Sequence, residues 1–142
     1  MKIRALLLAA FCTVSFVSQA GEISEPVISA AHESVQPAFA HLLPNVPGKK
    51  VVGLLVTYAP GMTSKSHRHG NAFVVAYVLS GSIRSQLEDG SSRVYHAGES
   101  WSEPPGAHHV VSENASKTEP ASLLAIFVVD ENQKELVTYD KP

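Results

Sequence analysis

The pattern of apolar and polar positions changes texture at Lys50. From there, short runs rich in β-branched and aromatic residues recur at Val51–Tyr58, Phe73–Leu79, Ser82–Leu87, Arg93–His96, Ala107–Glu113 and Ala121–Val129. Such residues suit a pleated, half-buried surface. The segments between them show no helical periodicity. Those segments, "APG", "SG", "EDGSS", "AG", "EPPG" and "ENASKTEP", are all turn chemistry. Glu88-Asp89-Gly90 between two short strands reads as a hairpin loop. Short strands at this even spacing predict one all-β sandwich or barrel over residues 50–130. The polar tail, residues 131–142, adds at most one edge strand.

Upstream of Lys50 the pattern differs twice. Lys2 and Arg4 precede the apolar stretch "ALLLAAFCTVSFV", and "SQA" follows with small residues at Ser18 and Ala20. That order is the signature of a secretory signal peptide over residues 1–20, and it predicts a periplasmic or secreted protein. Residues 21–49 carry Pro26, Pro37, Pro44 and Pro47, which forbid a long helix. They predict an extended N-terminal arm along the outside of the domain, with room for one short helical turn.

Composition narrows the chemistry. Cleavage removes Cys12, the single cysteine, so disulfides, thiolate catalysis and thiolate metal ligands are excluded in the mature chain. Removing Lys2 and Arg4 from the eleven basic residues leaves nine against thirteen acidic ones, a formal charge of −4. With no basic patch or zinc-finger spacing, nucleic acid is not an expected partner. No apolar stretch after residue 20 is long enough to span a membrane.

The seven histidines carry the remaining signal. His67 and His69 flank Arg68, and strand alternation places both imidazoles on one face with the arginine on the other. Imidazole nitrogens suit Zn, Cu, Fe and Ni, and paired rings on one face invite a third. His108 and His109 are strand neighbours, so only one of them points inward. His32, His41 and His96 have no partner at ligand spacing and read as structural or solvent-facing.

Glycines frame these residues in two stretches, "GMTSKSHRHGNAFVVAYVLSG" (61–81) and "GESWSEPPGAHHVVSEN" (98–114). Together they resemble the two motifs of the cupin superfamily. Gly61, His67, His69 and Gly81 match the first motif; Gly98, Pro104, Gly106 and His109 match the second. The resemblance covers Lys50 to Val129 and departs from the pattern twice. Val74 stands where the first motif has glutamate, and Asn114 lies one residue later than the second motif asks.

The resemblance implies a single-domain cupin β-barrel, a double-stranded β-helix of jelly-roll type, with His67, His69 and His109 as the ligands of one divalent transition metal. Fe, Mn, Zn, Ni and Cu all remain candidates, and His108 then faces outward. With the carboxylate missing at Val74, a substitute oxygen can come from Glu103, Glu113, Asn71 or solvent. Pro104, Pro105 and Gly106 shape the turn that delivers His109 to its strand. Trp101, Tyr77, Phe73 and Phe127 read as barrel packing. No catalytic acid or base stands out; Glu103, Glu113 and Tyr77 are the candidates.

Two functions stay open at this point. One is a metal-dependent enzyme, a dioxygenase-like oxygenase or an isomerase, acting on a small organic substrate through the three-histidine site. The other is a non-catalytic cupin module that binds or senses a small ligand or the metal itself. The resemblance also implies a homodimer, in which the arm covers a partner's sheet edge.

Overall fold

Buried and part-buried positions alternate without interruption from Ala121 to Val129, as in a strand lying between a core and an outer face. The computed structural model describes residues 33–141. The expected signal peptide and residues 21–32 of the expected arm, His32 among them, lie outside the described residues.

Among the described residues ten strands follow in order: β1 (Ser34–Leu42), β2 (Lys49–Tyr58), β3 (His67–Arg68), β4 (Phe73–Ser80), β5 (Ser82–Leu87), β6 (Arg93–His96), β7 (Ser100–Glu103), β8 (His108–Asn114), β9 (Ala121–Asp130) and β10 (Thr138–Tyr139). They form two five-stranded sheets, ordered β1-β2-β9-β4-β7 and β10-β3-β8-β5-β6. Every pairing is antiparallel. The result is an all-β jelly-roll barrel with no helix among the described residues.

Within the stretch read as an arm, residues 34–42 form an edge strand rather than a helical turn, paired to β2. Pro37 is tolerated there because an edge strand needs only half of its backbone groups, and the register shifts between Pro37 and Phe39. The tail contributes β10, which pairs with β3.

The core fills the space between the sheets. Tyr58, Val74, Val78, Ile83, Phe127 and Val129 are each at most 1% exposed. Burying a large apolar side chain in this way contributes about 1.5–3 kcal/mol. Of the four aromatic residues expected to pack inside, Trp101 and Phe127 do so, whereas Phe73 and Tyr77 are 41% and 42% exposed. Strand parity explains the difference: Val74, Ala76 and Val78 take the inward positions of β4, so Phe73 and Tyr77 face out.

Gly81 makes the turn from β4 to β5 possible. Its φ is 68°, and a Cβ there would stand 2.6 Å from the Pro120 carbonyl oxygen. No helix of the described residues is long and apolar enough to cross a membrane.

Candidate metal centre

The register between β3 and β8 assembles the site. His67 lies directly opposite His109, and Arg68 directly opposite His108. Opposed residues of an antiparallel pair share a face with Cβ atoms about 4.5–5.5 Å apart. The inward pair is therefore His67 and His109, whose ring centroids are 5.1 Å apart. His69 follows β3 on the same side, its ring 4.8 Å from that of His67.

Backbone links hold the two histidine segments together. The Gly106 amide donates to the Gly70 carbonyl at 2.7 Å, while within the second segment the Ala107 amide closes the turn on the Pro104 carbonyl at 3.0 Å. Gly106 has φ of 82°, so the Pro-Pro-Gly turn needs a residue without a side chain at that point.

Each ring is oriented by a neighbour. The Nδ1 of His67 faces the Lys65 carbonyl at 2.6 Å, and that of His69 faces the Leu136 carbonyl at 2.9 Å. A carbonyl only accepts, so in both rings Nδ1 carries the proton and Nε2 keeps a lone pair. His109 has the Ser85 hydroxyl at Nε2 (2.9 Å) and Glu103 Oε1 at Nδ1 (3.1 Å). One candidate ligand nitrogen from each of the three rings lies within 4.8 Å of the others, and all three residues are buried.

Burial favours the neutral rings. It pulls the His67 imidazole down to about 4, only partly offset by the Lys65 carbonyl. It also lowers His69, again against the pull of its carbonyl partner. Neutral imidazole is the form that binds a metal. The three imidazoles, with the tautomers and protonation of His67 and His69, thus fit a divalent transition ion held by His67, His69 and His109.

The other sequence candidates separate cleanly. Val74 is 1% exposed and lines the same cavity as the three histidines, so the position where the first motif has glutamate does point inward. Glu113 pairs with Arg84 on the outside at 2.9 Å, and Asn71 is exposed. Tyr77 is also outward-facing. Only Glu103 among the candidate oxygens is inside, at 2% exposure. Burial raises its carboxyl, but the hydrogen bonds from His109 and Trp101 help to hold it below its ordinary value.

His108 faces outward, between Ser66, Asp140 and Glu88. His41 stacks on Phe39 away from the centre, and His96 is exposed. Asn114 is buried and bonds to Ala59, Glu119 and Ser116, a structural clamp on the β8–β9 turn.

Sequence reasoning missed a polar trio in the same cavity. The Tyr58 hydroxyl meets Ser64 Oγ at 2.7 Å and Ser112 Oγ at 2.8 Å. Burial pushes the Tyr58 phenol up to about 12, so it stays protonated at neutral pH. The inward parity of Tyr58 at the end of β2 was its one available signal.

Free space beside the histidines measures about 60 Å³, walled by Leu54, Val56, Leu123 and Phe127 among others. Pockets for drug-sized ligands run to ~300–1,000 Å³. The centre has room for a few atoms only.

The cupin-domain family profile matches residues 54–127, which is more than half of the sequence. The chain belongs to the cupin family. Its fold is similar to that of a Klebsiella pneumoniae protein with a double-stranded β-helix domain (18% identity, 80% of this chain and 89% of that one, TM-score 0.62). It is also similar to a protein from Thermus thermophilus (24%, 68% and 82%, 0.55). A third similar structure is an oxalate oxidase bound to the substrate analogue glycolate (23%, 84% and 69%, 0.57). No curated protein matches the sequence significantly.

Proposed function

We propose that this chain is an exported cupin metalloprotein that binds one divalent first-row transition ion through His67, His69 and His109. We further propose that it carries out oxygenase-type chemistry on a small organic molecule. The observation that carries the metal reading is the convergence of three buried imidazoles whose Nε2 or Nδ1 atoms lie within 4.8 Å of one another. When bound, the ion supplies Lewis-acid and redox chemistry.

The protein's own residues do the rest. The Lys65 and Leu136 carbonyls and Ser85 aim the rings. The cavity of about 60 Å³, walled in part by apolar side chains, admits only a compact substrate. Tyr58, protonated and fixed by Ser64 and Ser112, offers a hydroxyl to a polar group of that substrate. A small substrate is in keeping with the oxalate oxidase of similar fold, whose own bound ligand is glycolate.

Export is proposed from the signal-peptide pattern of residues 1–20. A homodimer is proposed from the apolar side chains on the outer face of β4, where Phe73, Tyr77 and Leu79 are all more than 40% exposed.

Purified protein is tested by element-resolved metal analysis, then by oxygen uptake on a panel of small hydroxy acids, diketones and catechols. Bound metal with uptake on one class supports the enzyme. Bound metal with no turnover and a ligand-dependent melting shift supports the non-catalytic binding module instead.

A further inference from the structure

Val74 and Glu103 occupy opposed positions on neighbouring strands. β4 and β7 are antiparallel, and their register places the two residues directly across from each other. Both side chains point into the barrel, at 1% and 2% exposure. Opposed Cβ atoms stand about 4.5–5.5 Å apart, within reach of a shared point for a side chain as long as glutamate. The sequence thus has valine at the position where the family motif carries its carboxylate, and a carboxylate one strand away.

The surroundings of that carboxylate are half satisfied. Oε1 accepts from Trp101 Nε1 at 3.1 Å and lies 3.1 Å from His109 Nδ1. Oε2 is buried and has no hydrogen-bond partner. It stands 3.4 Å from His69 Nε2. Because His69 Nδ1 holds its proton against the Leu136 carbonyl, the neutral ring presents a lone pair at Nε2. Two lone pairs therefore face each other with no hydrogen between them. An orphaned buried polar atom of this kind is destabilising unless something positive meets it.

We propose that Glu103 is the fourth protein ligand of the metal, transposed from β4 to β7, so that the centre holds three neutral nitrogens and one carboxylate. This rests on the three-histidine reading. The carboxylate lowers the net charge of a divalent site by one and adds a hard oxygen, which widens its affinity toward Fe²⁺ and Mn²⁺. Val74 then leaves an apolar wall beside the ion where a ligand would otherwise stand.

The test is a titration of the metal-free full chain with Co²⁺, read by visible absorption and calorimetry. It compares the native chain with Glu103→Gln, Glu103→Val, the double variant Val74→Glu/Glu103→Val, and His67→Ala. Glu103→Gln is expected to weaken Co²⁺ binding by about tenfold or more and to change the absorption bands. The double variant, which returns the carboxylate to β4, is expected to recover most of that loss relative to Glu103→Val. In a crystal structure of the Zn²⁺-loaded chain, a Glu103 oxygen is expected about 2.0–2.2 Å from the ion.

Glu103→Gln that binds Co²⁺ with native affinity and spectrum, while His67→Ala does not bind, overturns the transposed ligand and leaves the three-histidine reading intact. So does a Zn²⁺ structure in which both Glu103 oxygens stay out of coordination distance. Native binding in His67→Ala overturns both.

Discussion

Two cross-strand pairs sit back to back on the same two strands. Inside are His67 and His109; outside, one residue along on each strand, are Arg68 and His108. The outer histidine is surrounded by polar side chains: Ser66 Oγ and Asp140 Oδ2 lie 2.7 Å from its Nε2, and Glu88 Oε2 lies 3.2 Å from its Nδ1. The inner His67 faces a backbone carbonyl and an apolar cavity. Burial favours the neutral His67 ring with one exposed lone pair, against the pull of its carbonyl partner. Neighbouring positions of one sequence motif are thereby prepared for different tasks: outside, a ring that ties the C-terminal tail to the sheet; inside, a ring ready to coordinate.

The largest expected effect separates the two faces outright. His67→Ala and His109→Ala each abolish stoichiometric metal, read by element-resolved mass spectrometry, while His108→Ala leaves the metal content unchanged. Equal loss in all three variants breaks the distinction between the pairs.

Next comes pH. In the metal-free protein the His67 ring titrates at about 4, against an ordinary value of 6.5. Between those values the unfolded chain binds a proton that the folded chain refuses, so stability falls as pH drops from 6.5 toward 4. The contribution of His67 is about 3 kcal/mol, present in full above pH 6.5 and lost by about pH 4. Denaturant melts of the metal-free chain across this window check it, and His67→Ala is expected to flatten the profile. A profile equally steep in that variant assigns the dependence elsewhere.

Ser85→Ala removes the hydroxyl that holds His109 Nε2. It is expected to weaken metal binding by about tenfold, as loss of a ring-orienting partner generally does, without changing stoichiometry. The smallest effect belongs to the outer face. His108→Ala gives up its hydrogen bonds to Ser66 and Asp140 and is expected to lower stability by only about 1 kcal/mol in a thermal melt.

Much of this arrangement was legible in local pattern. Ser82–Leu87 and Arg93–His96 emerge as strands with the bounds read from sequence, because turn residues bracket each closely. The inward parity of His67, His69 and His109 followed from alternation and motif spacing. β7 was not legible. Ser100–Glu103 sits inside the second motif, just before two prolines, and its short alternation of exposed and buried residues is visible only once β4 lies beside it.

Glu103 was therefore one oxygen candidate among several, and nothing local distinguished it from Glu113. The distinction is a matter of register between strands distant in sequence, which a period of two along one strand does not encode. Pro37 spoke only against a long helix, and the extended segment it predicted is an edge strand whose register shift accommodates it.

The central claim is that three neutral rings meet on one ion. Its most direct test is to load the metal-free chain with excess Co²⁺, remove the unbound ion and count cobalt per chain in the native protein and in the His67→Ala/His109→Ala double variant. One equivalent in the native chain and none in the variant is the expected result. Equal cobalt in both, or none in either, contradicts it.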